Sequence, residues 1–443
     1  LKNRVNLYIL FSIACQLLFA FMVLEPALCA DGSDAATYRD GFPAAVTGDV
    51  YGQVKVADVD GDGKNEMVFG ATDGMVHIVG VDGKEKRFGL WPKQTGGPIL
   101  SSVAIGDIKN DGKLRVVVGS LDGKVYCIDK YGKTEWAYDT KGSITFSNPQ
   151  LYDPDGSQKL KIVVGSTSGR VVKLNENGDV EWQTNAGTAV TSPVKIADLE
   201  GNGKKDIIIR DNSGKITVYD EGKVRSGFPQ NIGGNTGYWP FELEVADTDR
   251  DGKSEIIGQT PEPFSIKAYD LKGTVKFKQD LPAESHSQIR CADINKDGEL
   301  DMIVTYTYPD DKGAYIDIRT QKGESLPGWP RKVGKYINGI PQIADVDGDG
   351  SPDIIFTAWT NDAREKAGLV NVLNIKGEPL QGFPKYIGKS VTPVTICDLD
   401  GDGRLDIIAA GGVGLTAPQL HVFKSSTPVP MRILVLGTQY EAY

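Results

Sequence analysis

The chain has 443 residues, with 49 Lys and Arg against 59 Asp and Glu and a formal net charge of −10. No Lys/Arg-rich stripe interrupts that acidic balance, which excludes nucleic acid as the expected partner. Five cysteines are too few for a disulfide framework in a chain of this size.

The N-terminus reads as an export segment. Lys2 and Arg4 precede an apolar run from Tyr8 to Leu24, and small residues follow at Ala27 and Ala30. Residues 1–30 are therefore expected to be a secretory signal cleaved near Cys29 or Ala30. An uncleaved membrane anchor is the competing reading, because the apolar run has nearly the length needed to span a bilayer. Either reading exports the protein, secreted or at the cell surface. Cys127, Cys291 and Cys397 lie beyond this segment in apolar strand contexts and read as small core residues. Residues 31–38 read as a linker.

From 39 to 426 one pattern repeats eight times: an apolar stretch runs into an Asp, a polar or acidic loop opens, and another strand-like run usually follows. The first Asp of each copy falls at 58, 107, 153, 198, 247, 293, 345 and 398, so the steps run from 45 to 53 residues. A period near fifty with several short strands per period predicts propeller blades. A typical unit has strand A from Ser192 to Asp198, strand B from Asp206, strand C from Lys215 to Asp220 and strand D from Val224 to Pro229. Gly-Phe-Pro or Gly-Trp-Pro marks strand D at Gly227, Gly328 and Gly382, with Leu90-Trp91-Pro92 a variant. Unit 8 ends at strand C, Leu420 to Phe423, whereas a spare Asp40-Gly41-Phe42-Pro43 precedes unit 1. The N-terminal segment should therefore complete the last blade and close the ring, which removes both sheet edges. The expected fold is an all-β, eight-bladed propeller of four-stranded blades, followed by a tail, 427–443, with no assigned role.

The A–B loops carry the chemistry. Asp at loop positions 1, 3 and 5 supplies short carboxylates, Gly at position 6 permits a turn at positive φ, and an acid at position 9 closes the shell. An EF-hand opens the same way but closes at position 12 between helices, whereas β-branched runs follow position 9 here. Five copies have oxygen-bearing side chains at all four positions: Asp58/Asp60/Asp62/Glu66, Asp247/Asp249/Asp251/Glu255, Asp293/Asn295/Asp297/Asp301, Asp345/Asp347/Asp349/Asp353 and Asp398/Asp400/Asp402/Asp406. A sixth, Asp198/Glu200/Asn202/Asp206, has a longer second ligand. Copy 2 has Lys109 at position 3 and Arg115 at position 9, so a built-in cation replaces the metal beside Asp107 and Asp111. Copy 3 has Asp153, Asp155 and Ser157 but ends on Lys161. Six structural calcium ions and two metal-free relatives are expected. The six loops hold 22 of the 59 acidic residues, so six ions would take the net charge from −10 to about +2.

If those loops form the lower rim, the B–C and D–A loops form the upper face. Tyr238, Trp239, Tyr306, Tyr308, Tyr336 and Trp359 gather there across blades 5 to 7, with Asn338, Asn361, Asp362, Arg364 and Glu365 adding polar reach. Flat aromatic faces among amides and carboxylates suit sugar rings, though the same residues also suit blade interfaces or a channel lining. His77, His286 and His421 fall in different blades without nucleophile neighbours, and no nucleophile elbow, zinc spacing or phosphate loop is present. A binding module for a glycan or an extracellular protein is the expected function. A polysaccharide-active, lyase-like enzyme and a quinoprotein-like scaffold are the alternatives.

The DxDxDGxxD loops between short strands resemble FG-GAP (VCBS-type) repeats, the units of the integrin α-chain propeller, over residues 39–424. The resemblance implies calcium on the lower rim and ligand binding by the opposite face. Integrin propellers have seven blades and eight units are counted here, so no ligand contacts are carried over. Gly119–Asp129 with Gly132–Trp136, and Gly165–Asn175 with Gly178–Trp182, are similar to repeats of pyrroloquinoline-quinone enzymes. That likeness implies eight blades locked by Trp, while the vicinal cysteine pair of those enzymes is missing from this sequence.

Overall fold

A computed structural model describes residues 36–427, apart from 155, 235–241, 262, 286–288, 309–311, 338, 360–367 and 415–416. The expected signal or anchor, the tail from 428, and Tyr238, Trp239, His286, Asn338, Asn361, Asp362, Arg364, Glu365 and Asp155 lie outside the described residues.

Eight antiparallel sheets form the blades, and in seven of them strands A to D pair in sequence order. Blade 1 has strands Lys55–Ala57, Glu66–Gly70, Met75–Gly80 and Lys93–Gln94. Strand B is buried along its whole length in blade 1 because it is covered on both sides. Its period-2 alternation sends Met67 and Phe69 into one apolar cluster with Leu399, Ile408 and Val422 of blade 8. Val68, between them, faces the other way into a cluster with Val116, Val118 and Ile128 of blade 2. One strand thus supplies two interfaces, and a slip of one residue would exchange them. Eight such clusters occur among the described residues, one at each junction between neighbouring blades. Each fully buried Val, Leu or Ile side chain in them contributes roughly 1.5–3 kcal/mol. Strand D is outermost, and Thr134–Asp139 alternates half-buried with exposed positions accordingly.

The ring closes with mixed termini, as the spare Gly-Phe-Pro predicts. Blade 8 takes Thr395–Cys397, Asp406–Gly411 and Gln419–Ser425 from the C-terminal end. Ala36–Tyr38 pairs antiparallel with Ser425 to Phe423, and Ala44–Ala45 pairs with Leu420 and Gln419. The closing strand therefore begins at Ala36, inside the stretch expected to be linker. Two short segments flanking Phe42-Pro43 make up strand D here, and the same interruption recurs in blade 4 around Phe228-Pro229.

Tryptophans fasten one blade to the next. The indole N–H of Trp91 in blade 1 donates to the Lys130 carbonyl in the C–D turn of blade 2 at 2.9 Å. Trp136 does the same to Glu176 of blade 3 at 3.2 Å, and Trp329 to Ile375 of blade 7 at 2.9 Å. The three cysteines are unpaired thiols, Cys127 and Cys291 buried and Cys397 half-buried. Burial pushes the Cys127 thiol up to about 12, which suits an inert core residue.

Candidate metal loops and the opposite face

The A–B loops share one backbone design. In blade 1 the Asp58 carboxylate accepts the N–H groups of Gly61, Asp62 and Gly63 at 2.7, 3.0 and 2.9 Å. Asp398 repeats this with Gly401, Asp402 and Gly403 at 2.8, 3.0 and 2.8 Å. Gly63 and Gly403 have φ of 85° and 81°, a region that a Cβ disfavours. The acid at position 9 opens strand B and reaches back to the N–H of position 2. Glu66 accepts from Val59 at 3.0 Å, Asp353 from Val346 at 2.8 Å and Asp406 from Leu399 at 2.9 Å. Copy 2 keeps the first half of this design, with Asp107 accepting from Asp111 and Gly112 at 3.0 and 2.6 Å. Backbone shape alone therefore does not separate the acidic loops from their relatives; position 9 does.

Among the described residues four sets of carboxylates converge, their ligand atoms within 4.8 Å of one another: Asp58/Asp60/Asp62, Asp247/Asp249/Asp251, Asp345/Asp347/Asp353 and Asp398/Asp400/Asp406. Each offers only hard oxygen donors, the set a divalent cation such as calcium takes. Blade 6 adds a buried oxygen without a partner, Asp293 Oδ1, which is the kind of orphaned acceptor a cation satisfies. Several acidic clusters thus have the donors to chelate a metal ion.

The blade 4 loop departs from the expected set Asp198/Glu200/Asn202/Asp206. Asp198, Glu200 and Asp206 form no convergent group among the described residues, and Arg225 pairs with Glu200 and Asp206 at 2.7 and 2.9 Å. Asn202, expected as the third ligand, is engaged at both ends of its amide. Its Nδ2 donates to Glu200 at 2.6 Å, and its Oδ1 accepts the Lys204 N–H at 2.9 Å. An amide N–H aimed at a neighbouring carboxylate satisfies that acid in place of a cation, so Asn202 acts here as a loop brace. Asn295 in blade 6 also donates, to Asp297 at 2.8 Å, and Asp293, Asp297 and Asp301 form no convergent group among the described residues, but the buried Asp301, unlike Asp206, has no basic side chain paired with it there.

Burial raises the position-9 acids. Asp353 is pushed up to about 8 by desolvation first and then by Asp347, Asp345 and Asp349, against the Val346 N–H. Asp301 is pushed up to about 6 for the same leading reason, with Asp297 and Asp293 adding to it. In copy 2, Arg115 pairs with Asp111 and holds its carboxyl well below the usual range. That is the internal cation expected from the sequence, although Lys109 turns away to Glu135 at 2.7 Å.

Sequence reasoning missed other cations in the loops expected to bind metal. Lys86 Nζ lies 3.1, 3.2 and 3.1 Å from Asp60, Asp62 and Glu66. Arg39 pairs with Asp400 and Asp406, Lys424 with Asp400 and Asp402, and Lys276 with Asp249. A basic residue two positions before Gly-Phe-Pro, Arg39 or Arg225, was the available signal.

On the opposite face the six aromatic candidates divide. Tyr306 is 4% exposed, stacked on Tyr315 with ring centroids 5.8 Å apart, so it is wall rather than contact surface. Tyr308 meets Tyr315 edge-on at 5.5 Å and is half-buried. Tyr336, 36% exposed, meets Trp359 edge-on at 6.0 Å, and Lys389 Nζ sits 4.3 Å over the Trp359 ring. Strand B is longer in these blades, Asp301–Tyr308 and Asp353–Trp359, at eight and seven residues against five in blades 1 to 4. At about 3.3 Å per residue, that extends blades 6 and 7 by roughly 7–10 Å on the face away from the acidic loops. Of the described histidines, His77 is held by Glu85 and Asp73 at 2.6 and 3.1 Å, and His421 Nδ1 lies 2.9 Å from Tyr38 Oη.

Comparison with known proteins agrees with this geometry. Residues 198–258 match the FG-GAP-like repeat, and residues 73–147 match the lambda-carrageenase beta-propeller domain. Integrin alpha pat-2 of Caenorhabditis briggsae is 27% identical, and that of Caenorhabditis elegans 23%. Each match covers 46% of this chain, which spans only 20% of the relative. The V. cholerae biofilm matrix protein Bap1 shares the fold with a TM-score of 0.62 at 12% identity, covering 89% of this chain and 92% of that one. BamB from Moraxella catarrhalis has a TM-score of 0.57 at 16% identity, covering 88% and 99%. The quinohemoprotein alcohol dehydrogenase of Comamonas testosteroni reaches 0.62 at 12% identity, covering 90% and 77%, a likeness of fold alone. Similarity in sequence is thus to integrin alpha chains, whereas the likeness to Bap1, BamB and the quinohemoprotein dehydrogenase is one of fold. The chain is an eight-bladed β-propeller in which residues 198–258 match the FG-GAP-like repeat, and it is similar in sequence to integrin alpha chains.

Proposed function

We propose that this protein is an exported, calcium-stabilised binding module that takes a glycan or an extracellular protein on the face opposite its acidic loops. The observation that carries the reading is the raised aromatic surface of blades 6 and 7, where Trp359 ends a lengthened strand, Tyr336 pairs alongside it and Lys389 sits over its ring. An aromatic face beside a cation suits a sugar bearing acidic substituents or an acidic peptide. Similarity to integrin alpha chains and to a biofilm matrix protein supports a surface or secreted location. Calcium at the A–B loops would hold convergent carboxylates together and so convert binding energy into folding energy. A glycan-array screen of the protein in millimolar calcium tests the reading. Hits that Trp359→Ala abolishes, with the melting temperature kept, are expected; a folded protein that binds neither glycans nor surface proteins in pull-downs would sink it.

A second reading is a polysaccharide-active enzyme, favoured by the match of residues 73–147 to the lambda-carrageenase propeller domain. It predicts turnover of the retained glycan, read as new reducing ends.

A further inference from the structure

One strand D position recurs in all eight blades, and in six of them its side chain pairs with the A–B loop or with the acid or base that closes it. Its N–H donates to a strand C carbonyl in five blades: Lys86 to Ile78, Arg225 to Val218, Leu326 to Ile318, Leu380 to Val372 and Arg39 to Val422, at 2.8–3.0 Å. In the other three it is the bulged residue at the register shift of strand D, namely Glu135, Glu181 and Lys276.

Set against loop position 9, this residue follows a charge rule. Position 9 is acidic and strand D basic in blade 1 (Glu66 and Lys86, 3.1 Å), blade 4 (Asp206 and Arg225, 2.9 Å) and blade 8 (Asp406 and Arg39, 3.2 Å). Blade 5 keeps the same signs, with Lys276 on Asp249 of the loop that Glu255 closes. Both signs are exchanged in blade 2 (Arg115 and Glu135, 3.2 Å) and blade 3 (Lys161 and Glu181, 2.9 Å). Blades 6 and 7 break the pattern. Leu326 and Leu380 hold the strand D position there, and no basic side chain pairs with Asp301 or Asp353, each 2% exposed, among the described residues. Lys296 does reach the blade 7 loop, but at the Gly350 carbonyl, and the Arg250 guanidinium lies against Gly298 of the blade 6 loop, on the Asp297 side, without pairing with Asp301.

A buried carboxylate needs a counter-charge. The strand D position supplies one in six blades, in either polarity, although in blade 5 it pairs with Asp249 while Glu255 is held by Thr248; in blades 6 and 7 it supplies none. Asp293 Oδ1, buried and without a partner, marks the same deficit in blade 6. We infer that the strand D residue decides which loops hold a divalent cation: the loops of blades 6 and 7 are the tight sites. The loops of blades 1, 4, 5 and 8 carry a resident ammonium or guanidinium that a metal ion must displace, so they bind weakly. Blades 2 and 3 are closed to metal. This rests on the reading that the A–B loops take calcium, and it lowers the expected number of tight ions from six to two.

Calcium titration of the full chain by calorimetry, with native mass spectrometry for stoichiometry, tests it on the wild type, Arg225→Leu and Leu380→Arg. The wild type should show about two tight ions, Arg225→Leu should gain one at least roughly tenfold tighter than that loop had before, and Leu380→Arg should lose one. Arginine is already accommodated at this position in blades 4 and 8; should Leu380→Arg nonetheless unfold, Arg39→Leu supplies the second gain-of-site measurement. Six equivalent ions, or unchanged stoichiometry in Arg225→Leu, would overturn the strand D rule while leaving calcium binding intact. Absence of calcium binding in every folded variant would overturn both.

Discussion

Arg39 and Asp406 stand 367 residues apart in sequence, yet Arg39 Nη1 lies 3.2 Å from both carboxylate oxygens of Asp406. The pair joins the first strand of the propeller to the last blade at the point where the ring closes. Asp406 is wholly buried there, so removing the guanidinium leaves a charge without a partner. Arg39→Met should cost about 3–5 kcal/mol in chelator, and Arg39→Met with Asp406→Leu should recover most of it. Urea unfolding at fixed pH reads both; a single variant as stable as the wild type would show that the pair does not hold the closure.

Trp91 reports on the blade junction instead. It is 5% exposed and its indole N–H meets the Lys130 carbonyl of the next blade. Trp91→Phe keeps most of the apolar area and should cost about 1 kcal/mol, the worth of one hydrogen bond. Trp91→Ala adds a cavity and should cost about 3–5 kcal/mol. Equal losses for the two variants in denaturant titrations would mean that the hydrogen bond, not the packing, dominates.

His421 supplies a pH dependence. Burial lowers its imidazolium pKa to about 4, below its ordinary value near 6.5. The unfolded state therefore binds the proton first as pH falls. The native advantage is full above about pH 6.5 and declines through the window down to about 4, by about 3 kcal/mol in all. His421→Phe should flatten that part of the stability profile relative to wild type. Parallel profiles for the two proteins between pH 7 and 4 would contradict the assignment.

The blade count, the strand order and the closing segment were all legible in the residues. Each rests on interactions local to a unit: Asp58 caps the N–H groups three to five residues ahead of it, and Met67, Val68 and Phe69 alternate by the strand's own period. Even closure left a mark, since blade 8 lacks a strand D and Asp40-Gly41-Phe42-Pro43 stands spare, although pairing extended it back to Ala36. Only the tertiary structure decided how each acidic loop is neutralised. Lys86 reaches Glu66 from twenty residues away, through a C–D hairpin whose strand D register sets which side chain points at the loop. Asn202 has the oxygen a metal loop wants, yet its amide turns to Glu200 once Arg225 has taken Asp206. The upper face was likewise decided by packing: Tyr306 and Tyr336 are one residue type, yet Tyr306, stacked on Tyr315, is 4% exposed and Tyr336, edge-on to Trp359, 36%. Periodic backbone demands are written into a sequence because near neighbours satisfy them, whereas charge pairing and exposure depend on which segments the closed ring brings together.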